Sequence, residues 1–338
     1  MRGVMLSLVV VLCACGPSAQ VAKQSALDDT KAYVASNIDA LVTASTALCA
    51  AAPAPDADGW NATNDATAVA NMKAEWKKAR AAYEHVEGSI AVLFGGLDVS
   101  TDERYDGFIE NAGDDNLFDD QGVTGVHALE RILWSDSIPQ SVIDFESTLP
   151  HYKAAAFPAT QQEADDFKNK LCARLVADVT SMKAQYAPLA LDTAAAFRGV
   201  IGSMKEQVEK TTLASTGQEE SRYAQTTLDD MRANLEGGRV TFDAFSPWIE
   251  VVADQQLVTD ISAGFGRVAA GYAEVNGAAI PQPPATWSAT NPSVDDRNTP
   301  FGKLYTLLEA ETALTGNSVV AKLNTAADKL GIPQLPEE

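Results

Sequence analysis

Apolar residues recur at helical spacing through the longest patterned stretch of the chain, from about residue 65 to 94. They step by four and three and lie at Met72, Trp76, Ala79, Tyr83, Val86, Ile90 and Leu93. That spacing places them on one face of a helix, which we expect to end at Gly95-Gly96. No part of the sequence shows the sustained polar and apolar alternation that is typical of strands. The chain is therefore predicted to be all-α.

Further helices are predicted on both sides of this stretch. They cover about 25–52, 161–187, 192–213, 219–235, 241–276, 301–314 and 318–330. Long helices joined by short loops pack as bundles. A segment broken by Pro139, Pro150 and Pro158 separates two halves. We therefore expect two consecutive four-helix-type bundles, an N-terminal one over 26–150 and a C-terminal one over 151–338.

The first residues have the pattern of a targeting signal. Arg2 precedes an apolar run over 4–12, and Leu12-Cys13-Ala14-Cys15 resembles a bacterial lipobox. This predicts a lipoprotein signal peptide over 1–14, lipidation of Cys15, and a linker over 15–25. The expected location is the cell envelope, lipid-anchored in the periplasm or at the cell surface, with Gly16 favouring the outer membrane. An ordinary secretory signal is the alternative.

Composition excludes one class of partner. The 338 residues include 25 Lys and Arg against 46 Asp and Glu, a formal net charge of -21. Nucleic acid is excluded, because phosphate binding needs a basic surface. The acidity instead attracts cations, although most of these carboxylates are expected to lie on solvated faces.

Two cysteines remain after the predicted signal, Cys49 and Cys172. In an oxidising compartment such a pair often forms a disulfide. Here it would connect the first long helix to a helix near the middle of the chain. Two buried free thiols are the alternative.

The candidate site starts from the segment 125–134, in which His127 and Glu130 lie three residues apart in an otherwise apolar run. A buried charged pair needs a mutual hydrogen bond, a partner cation or a metal. The alternatives are thus a satisfied core pair and a metal site. With only His85 and His151 besides His127, a histidine-rich zinc site is excluded. A carboxylate-rich site with one imidazole is what remains.

Other helices must supply the remaining ligands. On a continuous helix Glu87 lies about 40° from Tyr83 and faces inward, whereas Glu84 lies about 100° away, at the flank. Glu219 and Glu220 stand at the predicted start of a later helix. These two are either ligands or first-turn carboxylates that the helix dipole stabilises.

At this point the motifs resemble a known family. The pattern Gly125-x-His127-x-x-Glu130 is similar to the G-x-H-x-x-E signature of the imelysin-like proteins, classed historically as peptidases. Two earlier segments, Tyr83-Glu84-His85-Val86-Glu87 and Asp102-Glu103-Arg104 with Asp106, resemble the Y-E-x-I-E and D-x-R-x-D segments of the EfeM/EfeO-type iron-uptake lipoproteins.

A later segment, 217–237, resembles G-E-E-D-R-Y-S-H-T-D-L-W-D-F followed by A-N-x-x-G. It departs from that pattern by one inserted residue and at Ala224, Gln225 and Thr227. The four segments occur in the family's order, and the resemblance covers about residues 26–335. It implies two stacked helical bundles with a metal-binding cleft around the helix of His127.

The resemblance also implies a function. It is that of a lipid-anchored protein that binds iron and passes it to an uptake system, such as an inner-membrane permease; Cu²⁺ and Zn²⁺ fit the same donors. The candidate metal ligands are His127, Glu130, Glu87, Glu220, Glu219, Glu84 and Asp106. One alternative is a metallopeptidase, for which no separate catalytic base is evident. The other is a surface lipoprotein that binds a protein or haem partner, with His85 or His151 as haem ligand.

Overall fold

A computed structural model describes residues 18–61 and 63–333 of the protein. Its regular elements over these ranges are all helical, as the sequence predicts. The predicted signal peptide over 1–14 and the predicted lipidation site Cys15 lie outside the described residues. Among the helices that are described, none combines the length and the apolar character needed to cross a membrane.

Most of the helices follow one another closely, and longer connections cover 51–65, 110–124, 147–160 and 274–293. The helices are α1 (Ala19–Ala50), α2 (Ala66–Glu84), α3 (Glu87–Leu93), α4 (Gly95–Asp102), α5 (Tyr105–Ile109), α6 (Gly125–Leu133), α7 (Gln140–Glu146), α8 (Gln161–Asp166), α9 (Cys172–Tyr186), α10 (Thr193–Ala214), α11 (Thr227–Val252), α12 (Gln255–Ala273), α13 (Val294–Arg297), α14 (Pro300–Thr312) and α15 (Val319–Leu330). A π-helical turn over Phe167–Leu171 joins α8 to α9.

Helix α1 is shared by two hydrophobic cores. Its later residues, from Val34 onward, pack with α2, α3, α6 and α9 in a first core that extends to Tyr186. Its first turns, through Ala22 and Ala26, pack with α10–α12, α14 and α15 in a second core. The hydrophobic contacts thus divide between Tyr186 and Ala196, later in the chain than the boundary expected at residue 150.

The single helix predicted over 65–94 is wrong. Helix α2 ends at Glu84, α3 begins at Glu87, and Val86 between them has φ -131° and ψ 5°. The carbonyl of His85 lies directly against Gly237 of α11, where a Cβ atom would overlap it. Tertiary contact therefore sets the break. The predicted stop at Gly95-Gly96 is also wrong, since Gly95 begins α4.

The helices predicted over 219–235 and 241–276 are also placed differently. Gly237 and Gly238 lie inside α11 and do not end a helix. Gly237 has no side chain, and this lets the end of α2 approach closely at His85. Residues 218–226 are turns instead of a helical start. In that segment the N–H groups of Tyr223 and Ala224 donate to the Glu130 carboxylate, at 2.9 and 2.8 Å, and Gln225 has φ 55°.

A disulfide joins Cys49 of α1 to Cys172 of α9, with Cα atoms 5.5 Å apart and a sequence separation of 123. It connects two helices that already pack together in the first core. Such a bridge restricts the unfolded chain more as the closed loop lengthens.

We expect the double variant Cys49→Ala, Cys172→Ala to lose about 4–5 kcal/mol of unfolding free energy, as loop-closure entropy predicts for a loop of this length. Urea denaturation under oxidising conditions measures this loss. Wild-type protein with a reductant serves as the control and should approach the variant. Equal stability of oxidised wild type and variant would contradict the expectation.

Candidate metal centre

The start of α6 determines where His127 lies. Gly125 has φ +84°, and a Cβ atom there would overlap the carbonyl oxygen of Thr101 at the end of α4. Only glycine combines that backbone conformation with so close an approach. The contact brings the end of α4, with Asp102, beside the buried side chain of His127.

Glu130 holds the His127 ring. Its Oε2 lies 2.8 Å from Nδ1 of His127. Its Oε1 accepts the backbone N–H groups of Tyr223 and Ala224. These donors favour the ionised carboxylate, so Nδ1 of His127 carries the proton and donates it to Glu130.

The other ring nitrogen points at a carboxylate. Nε2 of His127 lies 3.3 Å from Oδ1 of Asp102 and makes no hydrogen bond with any described residue. Two lone pairs facing each other need a proton or a metal cation between them. One donor atom each from Asp102, His127 and Glu220 lie within 4.8 Å of one another, which suits a single cation.

A second group of donors shares Glu220. Donor atoms of Glu84, Glu87 and Glu220 also lie within 4.8 Å of one another. The ammonium of Lys210, from α10, lies 3.1, 2.8 and 2.7 Å from oxygens of these three residues in that order. Asn234 of α11 donates to Glu87 at 2.5 Å and fixes its carboxylate.

Arg80 of α2 is the second buried cation of the centre. It pairs with Glu84 and Asp102, and lies 2.7 Å from Glu220 and 3.5 Å from Asp230. Five carboxyl groups, those of Glu84, Glu87, Asp102, Glu220 and Asp230, thus surround the two cations Arg80 and Lys210. If all five ionise, three negative charges remain, which is costly in a buried site without protons or a further cation.

The pKa values follow from burial and the two cations. Burial raises the pKa of Asp102 to about 8 and that of Asp230 to about 7, although Arg80 opposes both shifts. Burial would raise the pKa of Glu220 too, but Lys210 and Arg80 outweigh it and hold that pKa below its usual range. Burial, with Arg80, lowers the pKa of His127. Glu220 is thus ionised and His127 neutral, the forms that bind metal.

The structure places the remaining predicted ligands outside both donor groups. Glu219 accepts from Gln225 at 2.8 Å, and Asp106 pairs with Arg222. Glu130 accepts hydrogen bonds from His127 and from the backbone N–H groups of Tyr223 and Ala224. The helix-capping alternative for Glu219 and Glu220 is wrong, because α11 begins only at Thr227.

The predicted position of Glu84 at the flank of its helix is also wrong. Glu84 is fully buried, not at the flank, because α2 ends at that residue and its side chain turns to Arg80 and Lys210. The spacing of Arg80 and Glu84, four residues apart on one helix, is a sequence signal for that pair. Asp102 belongs to a segment that carries the family resemblance, yet sequence reasoning missed it as a ligand. Lys210 has no comparable local signal.

A cavity of about 320 Å³ opens between α2 and α11 beside this centre. Arg80 and Asp230 form part of its wall, together with Trp76 and His85. The centre therefore directly adjoins this cavity.

Comparison with known proteins agrees with the helical architecture and the motifs. The family model of imelysin (peptidase M75) matches residues 26–290. Iron uptake system component EfeO of Escherichia coli O1:K1 is 26% identical over 238 residues, which is 70% of this chain and 50% of EfeO. EfeO of E. coli K12 and of Shigella flexneri are 27% identical over the same length and with the same coverage. The chain spans about half the length of these curated relatives.

A solved structure has the same fold. An imelysin-like protein from Psychrobacter arcticum 273-4 superposes with a TM-score of 0.54, over 95% of this chain and 99% of that one. Sequence identity is 12%, so this likeness concerns the fold alone.

We expect the metal-free protein to lose thermal stability as the pH rises from about 7.5 to 8.5, above the ordinary pKa of histidine of about 6.5. Burial raises the pKa of Asp102 to about 8 and of Asp230 to about 7, so the folded state holds protons that the unfolded chain has released. Melting curves across this range measure the slope. Asp102→Asn, which removes one such group, should flatten it, and a rise in stability with pH would contradict the assignment.

Proposed function

The chain belongs to the imelysin family, and we propose that it is an iron-uptake component that binds iron as cargo between Asp102, His127 and Glu220. One observation carries the proposal. The buried Nε2 of His127 makes no hydrogen bond with the described residues and faces the carboxylate of Asp102 at 3.3 Å. A cation bound there would give Nε2 a partner and would join it to Asp102, whose Oδ1 also accepts from Arg80.

The chemistry of the donors supports a hard or borderline metal ion. Two carboxylates and one imidazole suit Fe³⁺ and Fe²⁺, and they also accept Cu²⁺ or Zn²⁺. Glu130 accepts the Nδ1 proton of His127, an arrangement that commonly orients a metal-binding histidine and raises its basicity. We thus propose that Glu130 orients His127 and does not bind the metal. Asp102 takes its place in the proposed set of ligands.

The charges explain how loading and release can both occur. In the metal-free protein the raised pKa of Asp102, to about 8, keeps a proton on that residue at neutral pH, which limits the repulsion between buried carboxylates. An arriving cation displaces this proton, and Arg80 and Lys210 remain to balance the other carboxylates. Because a proton on Asp102 and the two cations already balance part of the charge, we expect the centre to keep its fold when the metal leaves.

The name of the EfeO relatives, iron uptake system component, supports iron as the cargo and an uptake system as the destination. We accordingly propose that the protein delivers iron to another component, such as an inner-membrane permease. Anchoring through a lipid on Cys15 in the cell envelope, with the outer membrane favoured by Gly16, is part of the same proposal and rests on the sequence pattern alone.

No observation favours the other functions considered from the sequence. A peptidase needs a carboxylate free to act as base, whereas Glu130 accepts three hydrogen bonds. Of the two candidate haem ligands, His85 lies 3.8 Å from the carboxylate of Glu236, and His151 is exposed. Neither function is proposed.

Adjacent glutamates provide a matched test. We expect Glu220→Gln to weaken metal binding far more than Glu219→Gln, because Glu220 belongs to the donor group and Glu219 bonds Gln225 instead. Glu130→Gln should weaken binding by about 10–100-fold, as loss of an orienting partner does. Calorimetric titration with Fe²⁺ under nitrogen, and with Zn²⁺, measures these affinities.

The titrations are made at high salt, which screens the acidic surface. Saturable binding near one equivalent that Glu220→Gln and His127→Ala abolish supports the proposal. Equal binding by wild type, Glu219→Gln and Glu220→Gln would contradict it, since the general acidity of the protein would then be the attractor.

A further inference from the structure

Lys210 stands where three carboxylates converge. Its ammonium lies 3.1 Å from Glu84, 2.8 Å from Glu87 and 2.7 Å from Glu220. The side chain is only 7% exposed. Its N–H groups donate to Glu84 and Glu87, and the contact with Glu220 is an ion pair. Lys210 therefore satisfies this group in the way that a bound cation would.

The same three carboxylates meet the geometric requirement for a metal site. One oxygen from each of Glu84, Glu87 and Glu220 lies within 4.8 Å of the other two. Glu220 also belongs to the group of Asp102 and His127. A carboxylate shared in this way can bridge two neighbouring cations, as in two-metal centres.

We infer that Lys210 is a built-in cation that fills the second of two adjoining cation positions and thereby limits the centre to one metal ion. This inference rests on the proposed function, since it assigns the first position to the cargo metal. It explains why a centre with five carboxyl groups contains a buried lysine, and why that lysine contacts Glu84 and Glu87.

Tethering gives Lys210 an advantage over a second metal ion. The ammonium is covalently attached, so its local concentration is high and it loses no translational freedom on binding. A second metal ion would have to break three ion pairs and would also be repelled by the first across Glu220. In wild type, the second position therefore stays closed to free cations.

The second position is held in shape by more than Lys210. Asn234 donates to Glu87, and Gln207 donates to Asn234 at 2.8 Å. Tyr272 in turn donates to Gln207. This chain of hydrogen bonds fixes Glu87 independently of Lys210. Removing the ammonium should leave Glu84, Glu87 and Glu220 with one more unbalanced negative charge, and a divalent ion can then enter.

Metal stoichiometry tests the inference. Wild type, Lys210→Met and Lys205→Met are loaded with Zn²⁺, or with Fe²⁺ under nitrogen, at high salt. Bound metal is then measured after gel filtration. Lys205 lies on the same helix, is half-buried and makes no ion pair with a described residue, so it provides the matched control. We expect one equivalent in wild type and in Lys205→Met, and two in Lys210→Met.

Circular dichroism checks the fold of each variant. If Lys210→Met does not fold, Lys210→Gln replaces it with the same expectation, whereas Lys210→Arg keeps the charge and should bind one equivalent. One equivalent in both neutral variants, or two in wild type, would overturn the inference and leave the proposed function standing. Absence of bound metal in wild type would instead overturn the proposed function, and the inference with it.

Discussion

Burial of five carboxyl groups around Arg80 and Lys210 is the constraint on which the rest of the structure depends. Charges removed from water are tolerated only where partners and hydrogen bonds compensate them. If all five ionised, three negative charges would lack a partner. Burial instead raises the pKa of Asp102 to about 8 and that of Asp230 to about 7, so protons offset part of this excess. Such a cluster is costly in a globular core, and the cation proposed above would offset that cost.

The fold brings these groups together from both hydrophobic cores. Helices α2, α3 and α6 belong to the first core and supply Arg80, Glu84, Glu87 and His127. Helices α10 and α11 belong to the second and supply Lys210 and Asp230. Helix α1 takes part in both cores and packs on α2 and α11. The centre therefore lies where the two cores meet, and the packing of both cores positions its side chains.

Two interruptions of helical structure serve the centre. The break at His85 and Val86 ends α2 so that Glu84 and Glu87 both turn inward. The non-helical segment 218–226 presents Glu220 to the centre and offers two backbone amides to Glu130. Local helix propensity is overridden at both places, as is common where a functional site imposes its own geometry.

Sequence patterns predict much of this protein because helical periodicity is local. The all-α class and the helices α1, α10, α14 and α15 follow from apolar spacing. The candidate site at His127 and Glu130 follows from two polar residues in an otherwise apolar run. The break after Glu84 does not, because it depends on contact with Gly237, far along the chain. Lys210 was missed for the same reason: its partners come from other helices, and a lone lysine in an amphipathic helix normally faces solvent.

X-ray absorption spectroscopy of the metal-loaded protein tests the central claim most directly, because it reports the atoms bound to the metal. We expect a shell of oxygen donors with one imidazole nitrogen, and loss of the imidazole scattering in His127→Ala. A shell of oxygen donors alone, or one unchanged by that substitution, would contradict it. The metal would then lie elsewhere on the acidic protein, and the buried centre would be a purely structural ion-pair network.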